Sequence, residues 1–121
     1  MTKSECQSYI ASTFGGVEEY PFANDPATCV FRHPGNRKWF AVLMQIPKAK
    51  LGLGEEGQIS ILNVKCDQRM IGSFRLEEGI YPAYHMNKSH WLTVVLNGTV
   101  AEEKLKFLLA MSYELTKGKR K

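Results

Sequence analysis

The sequence predicts a single α+β domain in which an antiparallel sheet of about five strands carries packed helices, in the order α-β-β-β-α-β-β-α. Its 121 residues, of which 44% are hydrophobic and 23% charged, suit one domain with a buried core. Apolar residues recur at helical spacing near both ends of the chain, and runs rich in β-branched and aromatic residues lie between them. Because these runs do not alternate regularly with helices, an antiparallel sheet is favoured over a doubly wound parallel one. We therefore expect one domain over residues 1–116 and a basic tail over residues 117–121.

The first helix is predicted from its start signal and its apolar stripe. Thr2 and Glu5 have the spacing of a capping box, and Gly15 and Gly16 end the helical pattern. The residues expected on the core-facing side are Cys6, Tyr9, Ile10, Thr13 and Phe14. Residues 17–26 contain two prolines and two adjacent glutamates, which predicts an ordered loop.

A β-hairpin follows this loop. Residues 28–32 and 38–46 are rich in β-forming side chains, and the Pro-Gly-Asn sequence between them is typical of a turn. Residues 47–57 contain a proline and three glycines. We expect a mobile loop there, which carries Lys48 and Lys50.

The third strand and a short second helix come next. Residues 58–65 alternate well enough to form a strand. Its inward side chains are expected to be Ile59 and Ile61, together with Leu62 or Val64. Asp67 is placed to cap a helix that ends near residue 79. The expected buried face of that helix consists of Met70, Ile71 and Phe74.

Two strands and a terminal helix complete the predicted order. Residues 80–84 read as an edge strand because of Pro82, and residues 90–96 read as the fifth strand. Thr99 and Glu102 have the spacing of a second capping box. The buried face of the terminal helix is expected to consist of Leu105, Leu108, Leu109, Ser112 and Leu115.

Positive charge is concentrated at the C-terminus. The net charge is +4. The tail supplies all of it through Lys117, Lys119, Arg120 and Lys121. The rest of the chain is neutral, because twelve basic residues balance twelve acidic ones. A short basic tail is weak evidence for a nucleic-acid partner.

Targeting signals and cysteine usage indicate a cytoplasmic protein. No apolar run approaches the roughly 20 residues that cross a bilayer, and the N-terminus lacks the apolar stretch of a secretory signal, so we expect no membrane partner. Cys6, Cys29 and Cys66 are odd in number and widely spaced, so reduced and mostly buried thiols are expected.

The sequence presents no catalytic or metal-binding constellation. His85 and His90 are five residues apart, and no Asp, Glu or Cys lies between residues 81 and 98 to complete a metal site. No nucleophile stands with a base, no carboxylate dyad is evident, and the glycines do not form a dinucleotide or phosphate loop. We expect a non-enzymatic protein without a metal or a cofactor.

One polar and aromatic segment precedes the fifth strand. It reads Tyr84-His85-Met86-Asn87-Lys88-Ser89-His90-Trp91. Its amides, cations and rings are suited to binding phosphate or stacking on bases. The same residues also suit a polar turn anchored in the core by Tyr84 and Trp91, and the usual burial of such aromatics favours that structural interpretation.

This segment resembles the hallmark Tyr-His-x-Asn-Lys-x-His-Trp motif of the MmcQ/YjbR family of small bacterial proteins. Further matches to the family are Glu19-Tyr20-Pro21-Phe22, Lys38-Trp39-Phe40-Ala41, Val64-Lys65-Cys66-Asp67 and Ser112-Tyr113-Glu114-Leu115. Together these matches cover nearly the whole chain in order.

The resemblance implies a CyaY-like, or frataxin-like, two-layer sandwich and a DNA-binding function with a "double wing" arrangement. The implied contact with DNA is weak, non-specific and made mainly through the phosphate backbone. Phosphates would be contacted by Arg32, Arg37, Lys38, Lys48, Lys50 and Lys88. Asn87 and His90 would donate hydrogen bonds that fix the register on the duplex.

A rival hypothesis is a non-catalytic module that binds a small molecule or a protein. The neutral body and the lack of a helix rich in Arg, Asn or Gln speak for this alternative. Its pocket would be formed by Tyr84, His85, Asn87, Lys88, His90 and Trp91. Clustering of these side chains in one concave site would favour a ligand, and scattering over a broad basic face would favour DNA. Iron handling would need an acidic ridge, and the first helix holds only Glu5.

Overall fold

The sheet is six-stranded and antiparallel in the computed structural model, which describes residues 1–54 and 56–118. The strands are β1 (Val17–Glu19), β2 (Cys29–Arg32), β3 (Trp39–Pro47), β4 (Gln58–Lys65), β5 (Ile80–Pro82) and β6 (Trp91–Val95). The α-helices are α1 (Lys3–Thr13), α2 (Ile71–Phe74) and α3 (Glu102–Thr116), and 3₁₀ helices span Lys48–Leu51 and Gln68–Met70. The strands lie side by side in the order β1-β2-β3-β4-β6-β5. The predicted α+β class with an antiparallel sheet is confirmed.

Strand β1 lies within the segment that was predicted to be a loop. Its residues Val17, Glu18 and Glu19 pair with Arg32, Phe31 and Val30 of β2. Three residues that include two glutamates carry little β signal in the sequence. At the edge of the sheet their carboxylates remain accessible to water and to cations, so forming the short strand does not bury unpaired charges. The predicted count of about five strands is therefore one too low.

The predicted second helix breaks into two short turns, a 3₁₀ helix and α2. Asp67 caps the first of them, because its Oδ1 accepts a hydrogen bond from the backbone N–H of Arg69 at 2.9 Å. Met70 is 38% exposed, so the prediction that it shares a buried face with Ile71 and Phe74 was wrong. The tighter 3₁₀ turn takes Met70 out of register with the two buried side chains.

Helices α1 and α3 pack on one face of the sheet and enclose the main core. From the sheet, the core includes Cys29, Phe31, Phe40, Leu43, Leu62, Val64, Leu92 and Val94. From the helices it includes Cys6, Ile10, Leu105, Leu108 and Leu109. Burial of this apolar surface, at about 25 cal/mol per Å², is the main driving force for the fold.

A smaller apolar cluster covers part of the opposite face of the sheet. It consists of buried Ile46, Ile59, Ile61 and Val95, with half-buried Met44, Leu51, Leu53, Tyr81 and Tyr84 packed against them. No α-helix among the described residues contributes to this cluster. The face is therefore covered by side chains from loops and a 3₁₀ helix, and it leaves room for a cavity.

Strand β4 is buried on both faces, which sequence alternation could not resolve. Leu62 and Val64 face the helices, whereas Ile59 and Ile61 face the opposite side. Ile59 and Ile61 are buried as predicted, and both Leu62 and Val64 are buried as well, although the two pairs lie on opposite faces of the sheet. A strand with apolar residues at nearly every position gives no periodic signal to choose between its two faces.

The two predicted capping boxes have different outcomes. The box at α1 is confirmed, since Thr2 Oγ1 accepts a hydrogen bond from Glu5 N and Glu5 Oε1 accepts one from Thr2 N. The box at α3 is wrong, because the N-cap is Ala101 and no side chain caps it. Thr99 instead belongs to the preceding turn, where its N–H donates to Asn97 Oδ1 at 3.0 Å.

Besides Met70, two more residues that were predicted to face the core are exposed. In α3 the buried stripe passes from Ser112 to Thr116, four residues on, so Leu115 is 44% exposed. After Ile10, the next residue that packs against the core is Phe14, four residues on, so Thr13 faces the solvent. Both errors arise because the predicted buried stripe was continued into the last turn of the helix with a three-residue step. There the structure turns the residue four positions on toward the core instead.

The segment after β3 is more ordered than the predicted loop. Lys48–Leu51 forms a 3₁₀ helix, which ends at Gly52 with a left-handed backbone. Leu51 and Leu53 pack against the smaller apolar cluster. Part of the predicted loop is therefore a 3₁₀ helix, and two half-buried leucines pack it against the sheet despite the glycine-rich composition.

The predicted basic tail is described only in part. Lys117 Nζ lies 2.8 Å from Glu114 Oε1, one turn earlier in the chain. Lys119, Arg120 and Lys121 lie outside the described residues. Across residues 1–54 and 56–118, no helix has both the length and the apolar character needed to cross a membrane.

Candidate functional site

A concave site lies on the face of the sheet that α1 and α3 do not cover. It is a cavity of about 860 Å³, here called the groove. Val42 and Met44 of β3 and Asn63 of β4 form its floor. Residues 21–25 and residues 84–86 line its sides, and Trp39 near the start of β3 and residues 45–47 at its end complete the lining.

The floor of the groove follows from the pairing of β3 with β4. Val42 is paired with Asn63, and Met44 is paired with Ile61. Successive side chains of a strand point to opposite faces, so Val42 and Met44 share the face of the smaller cluster while Leu43 between them enters the main core.

Trp39 is held between an aromatic ring and a cation. The ring of Phe22 meets it edge to face, with centroids 6.1 Å apart and an interplanar angle of 88°. The guanidinium of Arg32 lies 5.4 Å from the centroid of the Trp39 ring. Arg32 Nε in turn lies 2.6 Å from Glu19 Oε1, so its charge is balanced by β1. Trp39 therefore presents a positioned aromatic surface to the groove.

On the other side of the groove, Tyr84 and His85 form a stacked pair. Their ring centroids are 4.0 Å apart and their planes differ by 9°. His85 has a left-handed backbone with φ of 59°. Histidine is among the residue types enriched in this region, and Arg37 in the hairpin turn has a similar backbone with φ of 63°. His85 with this backbone stacks its ring on Tyr84.

A buried polar pair fixes Tyr84 to the sheet. Thr93 Oγ1 donates to Asn63 Oδ1 at 2.5 Å and accepts from Tyr84 N–H at 2.8 Å. Asn63 Nδ2 donates to the carbonyl of Tyr84 at 3.2 Å. Both side chains are fully buried. These three bonds satisfy both backbone groups of Tyr84 and set the position of the groove side.

A second, smaller cavity adjoins the groove. It has a volume of about 330 Å³ and is here called the side pocket. Tyr84 and His85 line both cavities. The remaining lining of the side pocket consists of Lys50, Leu51, Tyr81, Pro82, Ala83 and Lys88. The stacked pair therefore stands between an aromatic groove and a pocket that carries two lysines.

Comparison with known proteins identifies the family. The YjbR family model matches residues 12–115. The chain belongs to the YjbR family. The resemblance seen in the sequence is thereby confirmed.

Relatives of this YjbR-family chain cover nearly its whole length. It is 35% identical over 117 residues to the uncharacterised protein YyaQ of Bacillus subtilis, a match that covers 97% of this chain and 99% of YyaQ. A crystal structure of a Pseudomonas syringae protein is similar to it with a TM-score of 0.93 and 37% identity, over 96% of this chain and 99% of that one. The DUF419 protein DR2400 of Deinococcus radiodurans gives a TM-score of 0.73 at 30% identity, over 98% and 80% of the two chains.

The hallmark segment of this family member is divided between the cavities and the core. Tyr84 and His85 line both cavities, and Lys88 lines the side pocket. Trp91 is buried, with Lys65 Nζ 5.8 Å from its ring centroid. The carbonyl of His90 accepts a hydrogen bond from Cys66 N–H at 2.8 Å.

Asn87 organises the turn between the two halves of the segment. Its Oδ1 accepts from Ser89 N–H at 2.8 Å, and its carbonyl accepts from His90 N–H at 3.2 Å and from Trp91 N–H at 2.9 Å. The six residues predicted to form one pocket are therefore not brought together as a set. Three of them line cavities, and Asn87, His90 and Trp91 contribute to the turn and the sheet.

The predicted phosphate-contacting residues lie on separate elements. Arg37 Nη2 is 3.3 Å from Glu19 Oε2, so it shares the carboxylate that pairs with Arg32. Lys38 is exposed at the end of the hairpin turn, where its N–H donates to the side chain of Asn36.

Two more of these residues belong to the 3₁₀ helix after β3. Lys48 is half-buried, and Lys50 is exposed beside the side pocket. These two lysines lie on a different element from the two arginines that share Glu19. The predicted phosphate-contacting residues therefore do not form one continuous basic row.

Most of the groove was not predicted from the sequence. The lining residues without a predicted binding role include Phe22, Trp39, Val42, Met44 and Asn63. Asn63 and Thr93 had one available signal, since each is a polar residue in the middle of an otherwise apolar strand. The remaining residues look like ordinary core or loop positions, and only the register of β3 and β4 brings them together.

The three thiols lie in the core rather than at either cavity. Burial raises the pKa of Cys6 to about 12 and that of Cys29 and Cys66 to about 11. They are therefore protonated at neutral pH and poor nucleophiles. Within residues 1–54 and 56–118, no three side chains of His, Cys, Asp or Glu converge to hold a metal ion.

Proposed function

We propose that this YjbR-family chain is a non-catalytic binding domain whose groove takes a small ligand with a flat, mainly apolar part. The observation that carries the proposal is the convergence of two family-motif segments, residues 21–22 and 84–86, with Trp39 on one concave site. The groove volume of about 860 Å³ lies in the range of small-molecule sites.

The aromatic side chains that line the groove favour a flat ligand. Phe22, Trp39 and Tyr84 contribute aromatic rings to the lining, and Val42 and Met44 contribute apolar side chains to the floor. Phe22 is 40% exposed, so a ligand that covers it removes apolar surface from water. Aromatic rings prefer edge-to-face or offset contacts with other flat groups, which gives the groove selectivity beyond area alone.

The site is also pre-formed, which favours binding. Tyr84 is held by both of its backbone groups, and Trp39 is held by contacts with Phe22 and Arg32. Side chains that are already ordered lose less conformational entropy when a ligand binds.

A titration with 1-naphthol, a small uncharged aromatic probe, tests this proposal. We expect saturable binding that Phe22→Ala weakens about tenfold, since loss of one contacting ring is worth about 1.4 kcal/mol. Phe107→Ala is the matched control, because Phe107 is 52% exposed but lies on α3. Equal affinity in both variants, or no saturable binding to the wild type, would contradict the proposal.

A second candidate function is weak contact with duplex DNA through phosphates, the double-wing activity that the family resemblance implies. It is favoured by the exposure of Lys38, Lys50 and Lys88. It is opposed by the pairing of Arg32 and Arg37 with Glu19, which leaves fewer cations for phosphates.

Fluorescence anisotropy with a random-sequence duplex tests this second candidate. Three lysine–phosphate contacts predict a slope of about −2.7 for log K against log salt concentration, and Lys88→Ala makes the slope shallower by about 0.9. Lys106→Ala is the charge-matched control, since Lys106 pairs with Glu102 on α3. Binding that is lost only when residues 117–121 are removed would assign the contact to the tail.

A further inference from the structure

We infer that the ligand is bipartite, with a flat apolar part in the groove and an anionic group in the side pocket. The inference rests on the proposed function, because it names the chemistry of the ligand that the groove takes. The anion is a phosphate, a sulfonate or a carboxylate attached directly to the flat part.

The two cavities are placed for one ligand to occupy both. Tyr84 and His85 line the groove and the side pocket alike, so the cavities meet along this stacked pair. The groove is about 860 Å³ and the side pocket about 330 Å³. The smaller volume accommodates a tetrahedral or planar anion with its hydration, and the larger one accommodates the ring system.

The charges of the side pocket fit an anion. Lys50 comes from the 3₁₀ helix after β3, and Lys88 comes from the hallmark segment, so two separate elements each contribute a lysine to the lining of one pocket. Among the described residues, none that lines the side pocket is acidic, and none forms an ion pair with either lysine. Convergent cations without a carboxylate partner favour binding of an anion.

The groove itself adds little competing negative charge. Asp25 is the acidic residue among its described lining residues, and its carboxylate already accepts a hydrogen bond from Thr28 Oγ1. The positive end of the combined site is thus the side pocket, and the aromatic end is the groove.

The divider between the two cavities is fixed in position. Asn63 and Thr93 bind both backbone groups of Tyr84, and the ring of His85 stacks on that of Tyr84 with the two planes 9° apart. A fixed divider sets the distance between the flat part and the anion. The site therefore selects ligands in which the anion is attached close to the ring system.

Calorimetric titration with a matched set of probes tests the inference. The set is 1-naphthol, 1-naphthyl phosphate and 1-naphthoate, which share a ring system and differ in charge. We expect 1-naphthyl phosphate to bind the wild type about tenfold more tightly than 1-naphthol. The double variant Lys50→Gln/Lys88→Gln is expected to reduce this advantage to within twofold and to leave the affinity for 1-naphthol unchanged.

Controls separate this inference from the proposed function. Lys106→Gln, on α3, should keep the full advantage of the phosphate probe, and Phe22→Ala should weaken all three probes together. A larger gain for the phosphate or for the carboxylate identifies which anion the pocket prefers, and either gain supports the inference. Equal binding of 1-naphthol and both anions would overturn the inference and leave the proposed function standing. Failure of all three probes to bind would overturn both.

Discussion

Tyr84 shows how single residues position the site. Its ring contributes to the groove, but its place is set by Asn63 and Thr93, two buried polar side chains on neighbouring strands. Polar groups buried this deeply are tolerated only when their hydrogen bonds are made, and these two side chains bond to each other and to the Tyr84 backbone. Asn63 and Thr93 are therefore positioning residues, which hold Tyr84 in place at the groove.

Substitution of Thr93 by valine tests this role. The variant keeps the side-chain shape but leaves Tyr84 N–H and Asn63 Oδ1 without their partner, so we expect unfolding to become easier by about 2 kcal/mol. It should also weaken 1-naphthol binding, because Tyr84 is no longer held. Urea denaturation and the probe titration measure the two effects.

A matched variant separates positioning from stability. Thr116 is also a buried threonine, and its Oγ1 lies 2.8 Å from His33 Nε2, away from both cavities. Thr116→Val should destabilise the fold to a similar extent while retaining wild-type affinity for 1-naphthol. Loss of affinity in both variants would show that binding follows global stability rather than the position of Tyr84.

At the scale of elements, α3 is attached to the sheet by polar contacts as well as by its apolar stripe. Ser112 Oγ donates to the Phe40 carbonyl at 2.6 Å and accepts from Lys65 N–H at 2.8 Å, so it links the helix to β3 and β4. One turn later, Thr116 binds the buried ring of His33 in the hairpin turn. Burial is the main cause that lowers the pKa of His33 below its usual value of 6.5.

This buried histidine predicts a dependence of stability on pH. The unfolded chain takes up a proton near pH 6.5, whereas the folded protein resists protonation of His33, so the free energy of unfolding should fall as pH drops below that value. Urea unfolding at pH 7.5 and pH 5.5 measures the change. His33→Gln keeps a hydrogen-bonding side chain without a titratable ring, and the decline should be smaller in this variant. The same decline in both proteins would contradict the account.

At the scale of the whole molecule, the fold could be predicted much further than the site. The capping box at Thr2, the β2–β3 hairpin and strands β4 and β6 each have a local signal in the sequence, and the structure contains all of them. Strand β1 was missed because its pairing comes from Arg32 and Phe31 rather than from its own composition. The local sequence pattern also could not predict which side chains in the last turn of α3 are buried.

The groove could not be predicted because its parts are distant in sequence. Residues 21–25, Trp39, Val42 and Asn63 become neighbours only through the register of the sheet. The hallmark segment is one polar and aromatic run in the sequence, yet the chain turns at Asn87 and divides it between cavities and core. A motif that is continuous in sequence is therefore not one surface in this fold.

The most direct test of the central claim is a titration of the ¹⁵N-labelled wild-type protein with 1-naphthol, followed residue by residue by NMR. If the groove is the binding site, the largest shifts occur at Val42, Met44, Tyr84 and the indole N–H of Trp39, with little change along α3. Saturating shifts confined to α3 around Phe107, or no saturating shift at any residue, would contradict the assignment of the groove as a ligand site.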